Sequence, residues 1–362
     1  MKIFIKHHYF VIFITILLGC GRKAIQAKKY VNPIDPTVSV NITGLFKNMN
    51  HQLKPGIILH NNVDYLYFLD KNAKLYFCSL SDTSDQHVFN LSPVMYRDFP
   101  LGMIVSDSSL FIVKYEENKI EKFNLDFVHT TIVLDRVFSY DSLFHAEKVF
   151  IRANLAQPIF INNDRIYIPY SVRKQSTNFT GRNVYYEFCI KKNSIEKRQT
   201  IFKYPSEIVN KKRYSKNGLL GILQDSLLIC VFKSSDKVTI LNTRNTEQTF
   251  TKKYTQFSQF EDFNNQNIKD LAYLRLYETK SESNIGMITT DNFIVILKKL
   301  KTMKLLESPQ YECYVLDSKL AIRNFFKLKS PINPSIMFKY KDGFVLYSKD
   351  LNEVLYYSLK NK

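Results

Sequence analysis

Asp64-Tyr65-Leu66-Tyr67-Phe68-Leu69, the turn Asp70-Lys71-Asn72-Ala73, and Lys74-Leu75-Tyr76-Phe77-Cys78-Ser79-Leu80 decide the fold of this chain. The two flanking runs are aliphatic and aromatic, which suits a pleated, packed surface, and they are too short for typical helices. Four polar or small residues between them read as a tight turn. Apolar residues occupy consecutive positions in the first run, so both of its faces must be covered. In an antiparallel protein this requires each sheet to lie between two others.

The same theme recurs along the chain. Further copies open at Asp107, Asp164, Asp225, Asp291 and Asp342, and the starts, Asp64 included, are 43 to 66 residues apart. Four short strands with their turns need roughly 40–50 residues, the length of one propeller blade. The expected fold is therefore all-β: one β-propeller of six blades of four antiparallel strands, with seven the neighbouring count. Two β-sandwich domains divided near residue 200 are the competing architecture. Thr37-Val38-Ser39-Val40-Asn41-Ile42 alternates like a strand but has no hairpin partner nearby, and the unit from Asp342 to Leu359 is short of strands. The N-terminal strand is thus expected to complete the last blade, removing an exposed sheet edge. Asp at each strand start is expected to satisfy backbone donors of the turn before it.

Residues 1–20 concern location. Lys2 and Lys6 precede an apolar stretch from Tyr9 to Leu18, too short to span a bilayer stably, and Leu17-Leu18-Gly19-Cys20 reads as a lipobox. Cys20 supplies the thiol that would take the lipid; the competing reading is an ordinary secretory signal with a chance cysteine. The expected organisation is a signal peptide over 1–19, a basic lipidated tether over 20–36 and the propeller over 37–362. Cys78, Cys189, Cys230 and Cys313 each lie inside an apolar run without framework spacing, which favours buried, unpaired thiols. The formal charge of +18 falls by two when Lys2 and Lys6 leave with the signal. It fits an anionic partner, but Lys, Asn, Ile, Phe and Tyr are all enriched, as in proteins from AT-rich genomes.

A lipobox, a short basic linker and Asp-initiated hairpins throughout the mature chain resemble the six-bladed, TolB-like propeller lipoproteins of Bacteroidetes. The segment Ser335-Ile336-Met337-Phe338-Lys339-Tyr340-Lys341-Asp342-Gly343-Phe344-Val345-Leu346 resembles them most closely. The resemblance implies an envelope protein and hands over no catalytic residues.

Metalloprotease, EF-hand, nucleophile-elbow, P-loop and dinucleotide signatures are absent from the sequence. His51, His60, His87, His129 and His145 are scattered without ligand spacing, so no metal or other cofactor is expected. Two polar insertions stand out. One carries Arg173, Lys174 and Arg182; the other, Lys211-Lys212-Arg213-Tyr214, is the densest basic cluster of the mature chain. Cations alternating with aromatic faces suit acidic sugars or phosphates, and loops on a rigid scaffold commonly carry binding groups. The sequence favours a non-catalytic binding or interaction module, monomeric, lipid-anchored at the outer membrane and facing the periplasm. Its expected partner is an acidic glycan or an envelope protein, not nucleic acid. A glycan hydrolase or lyase with carboxylates at the channel mouth is the alternative.

Overall fold

A hairpin whose two strands are apolar on both faces cannot fold alone, and here it packs between two neighbouring sheets. The computed structural model describes residues 38–41, 53, 55–82, 84–95, 102–106, 108–114, 119–139, 149–151, 160–162, 165–172, 185–191, 194–200, 219–245, 247–255, 281–301, 309–328, 334–348 and 353–359. They all fall within one unit, Pro33–Lys362.

The strands run in chain order as β1 (Val38–Asn41), β2 (Gly56–His60), β3 (Val63–Leu69), β4 (Lys74–Ser79), β5 (Gln86–Asn90), β6 (Gly102–Ser106), β7 (Ser109–Lys114) and β8 (Lys119–Asp126). There follow β9 (Thr131–Ser139), β10 (Val149–Ile151), β11 (Phe160–Asn162), β12 (Arg165–Val172), β13 (Tyr185–Lys191), β14 (Ser194–Thr200), β15 (Leu219–Gln224), β16 (Leu227–Phe232), β17 (Lys237–Asn242) and β18 (Thr249–Lys253). The last seven are β19 (Ser283–Thr289), β20 (Phe293–Lys299), β21 (Tyr311–Asp317), β22 (Ile322–Lys327), β23 (Pro334–Tyr340), β24 (Gly343–Ser348) and β25 (Glu353–Ser358). One helical turn, Ser92–Met95, follows β5.

Four sheets have four strands each: β2-β3-β4-β5, β15-β16-β17-β18, β19-β20-β21-β22 and β1-β25-β24-β23. A fifth has nine strands, so the expected six blades are five hydrogen-bonded sheets. The difference has one cause. Within the nine-stranded sheet, the antiparallel groups β6–β9 and β11–β14 are joined by a single parallel residue pair, Ser194 with Ser139. The first strands of successive groups touch in turn: β23 with β2 and β19, β15 with β19 and β11, and β11 with β6. Leu53, just ahead of β2, bridges Met103 of β6. This is a β-propeller arrangement, and β1 pairs antiparallel with β25, from Val38 opposite Tyr356 to Asn41 opposite Glu353. The N-terminal strand completes the last sheet, as the sequence led us to expect.

The core lies between the sheets. In β20, Ile294 and Ile296 pack toward β15–β18, while the alternate Val295 and Leu297 pack toward β23–β25. In β24, Phe344 and Leu346 face β19–β22, and Val345 and Tyr347 face β2–β5. Cys78, Cys189, Cys230 and Cys313 are buried and outside any disulfide, and burial pushes the Cys78 thiol up to about 11. Gly286 of β19 permits a close approach, since a Cβ there would lie 3.0 Å from Met337 of β23. At Gly343 a Cβ would lie 2.0 Å from the Tyr357 carbonyl oxygen.

Turn chemistry repeats. Asp70 Oδ1 accepts from the Asn72 and Lys74 amides, each at 2.8 Å, and Ala73 takes φ 59°. Asp317 Oδ1 accepts from the Lys319 and Ala321 amides at 2.9 and 2.8 Å, with Leu320 at φ 56°. In both cases the capping Asp stands where a strand ends. Two strand-start Asp residues bind side chains: Asp342 takes the Tyr356 and Ser358 hydroxyls, and Asp291 pairs with Lys339 at 2.7 Å.

Phe127, in the turn after β8, fixes the β6–β9 group to the first sheet. Its ring stacks on His60 at 4.0 Å and meets Phe77, Phe89 and His87 edge-on at 4.9, 5.3 and 5.2 Å. Phe127→Ala should cost roughly 3–5 kcal/mol. Denaturant unfolding checks this, and a loss below about 1 kcal/mol would show that the cluster does not join the two groups.

Candidate functional site

Sequence reasoning singled out Cys20, Arg173, Lys174, Arg182, Lys211, Lys212, Arg213 and Tyr214, all of which lie outside the described residues. The strands that carry the two basic insertions are described. β12 ends at Val172 and β13 resumes at Tyr185; β14 ends at Thr200 and β15 resumes at Leu219. Pro169 is opposite Tyr185 and Tyr186 is opposite Thr200, so both insertions start from the same end of one sheet.

Among the described residues the densest polar constellation is one that sequence reasoning missed. It lies between the β15–β18 and β19–β22 sheets. Asn284 on β19 is fully buried, and its Nδ2 donates to the carbonyls of Phe232 and Ser235, each at 2.8 Å. Its Oδ1 accepts from the Tyr254 hydroxyl at 2.5 Å. Opposite Asn284 in register is Lys298, whose ammonium pairs with Glu282 at 3.2 Å. Lys298 is in turn opposite Glu312 of β21. Glu312 accepts from the Tyr314 hydroxyl at 2.7 Å, and that hydroxyl accepts from Thr255 at 3.0 Å. The Tyr254 and Tyr314 rings meet edge-on at 5.2 Å.

Burial is what gives these contacts weight. Lys298 and Glu312 are 1% and 4% exposed, so their charges have little access to water. A charge so placed is tolerated when it is paired and hydrogen-bonded. Burial, with the nearby Glu312 charge, raises the Tyr314 phenol, which therefore stays a hydrogen-bond donor across the physiological range. Tyr254 is raised well above the usual phenol value, again first by burial. Two carboxylates, an ammonium and two phenols are thus occupied with one another, and the cluster acts as a polar clamp between two sheets. The available signal was a charge inside an apolar strand, as in Tyr311-Glu312-Cys313-Tyr314.

A smaller pair lies within one sheet, between the neighbouring strands β12 and β13. Arg165 Nη1 donates to Glu187 at 2.7 Å, with Glu187 buried. Of the histidines, His87 lies 3.4 Å from Asp85, which also accepts from the Tyr65 hydroxyl at 2.6 Å. The exposed His129 pairs with Asp126 at 2.8 Å. Among the described residues no three His, Cys, Asp or Glu side chains are grouped so as to hold a metal ion. Nor is any described helix long and apolar enough to cross a membrane.

No protein-family profile and no curated protein matches this chain. Among solved structures it is similar to a candidate exported protein from Bacteroides fragilis, at 10% identity over 87% of each chain with a TM-score of 0.48. A luciferin-regenerating enzyme is similar at 8% identity, covering 87% of this chain and 88% of that one, with a TM-score of 0.47. Regucalcin from Agrobacterium tumefaciens, a calcium-binding protein, is similar at 10% identity over 88% and 87% of the two chains, with a TM-score of 0.44. Likeness at this level carries no activity or ligand to this chain.

The clamp generates a stability test. Asn284→Ala removes the partner of two buried carbonyls and one buried phenol, and should cost about 2–4 kcal/mol in urea unfolding. A change within about 0.5 kcal/mol would show that water or a local shift replaces these bonds.

Proposed function

We propose that this chain is a lipid-anchored, envelope-located propeller of the six-bladed, TolB-like kind, acting as a binding module for an anionic glycan. Cys20 would carry the anchor, residues 20–36 would form the tether, and the ring would present its loops to the periplasm. The observation that supports a binding role most strongly is the common origin of the two basic insertions. Residues 173–184 and 201–218 both start from one end of the β12–β14 sheet. The described strand ends that lead into the insertion with Arg173, Lys174 and Arg182 and into the one with Lys211, Lys212, Arg213 and Tyr214 thus lie at one end of this sheet. Clustered cations raise the local concentration of an anionic polymer, and a tyrosine adds a stacking face that salt does not screen.

The test uses alginate as the probe and the full chain in detergent. The parent should bind with an affinity that falls steeply as salt is added, because exposed charges are screened beyond ~8 Å at physiological ionic strength. Lys211→Gln/Lys212→Gln/Arg213→Gln should bind roughly 10-fold more weakly, with a flatter salt dependence and an unchanged melting temperature. Equal binding by parent and variant across the titration would contradict the proposal.

A further inference from the structure

We infer that β9 is an association strand through which two copies of this chain pair about a two-fold axis. β9 is a nine-residue outer strand that pairs with β8 on one side. On its other side, among the described residues, it makes the single pair Ser139 with Ser194. Val133, Leu134 and Val137 are 57%, 51% and 38% exposed, and the adjoining turn adds Val128. β5, which neighbours β9, contributes a partly exposed Val88. Exposed aliphatic residues gathered on a long edge strand are what proteins ordinarily avoid unless the edge is used. The corresponding outer strand β18 is exposed throughout but carries Lys252 and Lys253, charges that discourage edge pairing.

The sequence of β9 identifies the occupant. Val133-Leu134-Asp135-Arg136-Val137-Phe138 runs apolar, apolar, acid, base, apolar, apolar, and is therefore complementary to itself when two copies run antiparallel. An antiparallel pairing centred between Asp135 and Arg136 sets each Asp135 opposite the second copy's Arg136, and Leu134 opposite the second copy's Val137. Opposite charges and apolar side chains directly across a strand pair are favourable, and an isologous interface requires this self-complementarity. The chain's own geometry keeps the two charges at the centre. A bulge shifts the register between Lys122 and Phe123 of β8, and Lys122 Nζ donates to Asp135 at 2.7 Å.

Sedimentation equilibrium of the full chain in detergent tests this. The parent should dimerise, and Asp135→Arg or Arg136→Asp alone should raise the dimer dissociation constant about 10-fold, because like charges then face each other. The double variant Asp135→Arg/Arg136→Asp should restore parental affinity, which distinguishes the contact from misfolding. Leu134→Cys/Val137→Cys should give a covalent dimer on mild oxidation, since cysteines three apart in one strand are too distant to join each other. The matched variant Thr249→Cys/Lys252→Cys on β18 should give no covalent dimer. A parent that is monomeric at every concentration would overturn the inference. So would a dimer indifferent to charge reversal, or a monomer that instead binds phosphatidylglycerol vesicles through Val133.

Discussion

Everything else in this fold depends on the pairing of Val38–Asn41 with Glu353–Tyr356. It joins the two ends of the chain, and so converts a row of sheets into a ring. Without it, β25 would present an open row of backbone donors and acceptors, and the final sheet would have three strands. The pairing is only four residues long, so its effect is topological: it makes opening the ring a non-local event.

The ring in turn explains the composition. Each sheet must supply an apolar surface to both neighbours, so strands such as Phe293–Lys299 and Tyr311–Asp317 are apolar at consecutive positions. Alternate residues then enter different cores, with Tyr314 and Leu316 on one side of β21 and Cys313 and Val315 on the other. Such strands are specified twice, since a one-residue slip would exchange both faces. Polar residues placed in these boundaries need partners of their own. The Asn284–Tyr254 and Glu312–Tyr314–Thr255 bonds meet that need between two sheets, and Arg165 pairs with Glu187 within one sheet.

Much of this was legible in the sequence because it rests on local pattern. Apolar runs broken by Asp-led turns identify the strands, the buried cysteines follow from their apolar neighbours, and the unpartnered run 37–42 points to ring closure. What was not legible depends on which strands become neighbours. No local signal tells that Ser194 meets Ser139 and joins two four-strand groups, or that Asn284 and Tyr254 meet across 30 residues of sequence. The capping aspartates are not the strand-start ones that the sequence singled out. Asp70 and Asp317 cap turns through local geometry, whereas Asp291 reaches Lys339, 48 residues away. The eight residues chosen from sequence as site candidates lie outside the described residues, and the polar clamp between sheets lies where sequence reasoning had not looked.

Ring closure by the chain ends is the central claim, and a covalent lock tests it most directly. Asn41 and Glu353 are register partners, so Asn41→Cys/Glu353→Cys should form a disulfide on oxidation while Cys78, Cys189, Cys230 and Cys313 stay buried. Closing so long a loop should raise global stability by roughly 5 kcal/mol relative to the reduced form. The oxidised chain should then unfold as one cooperative unit at a higher midpoint, by fluorescence and circular dichroism alike. Failure to cross-link, or a cross-linked chain that unfolds at the midpoint of the reduced one, would contradict closure.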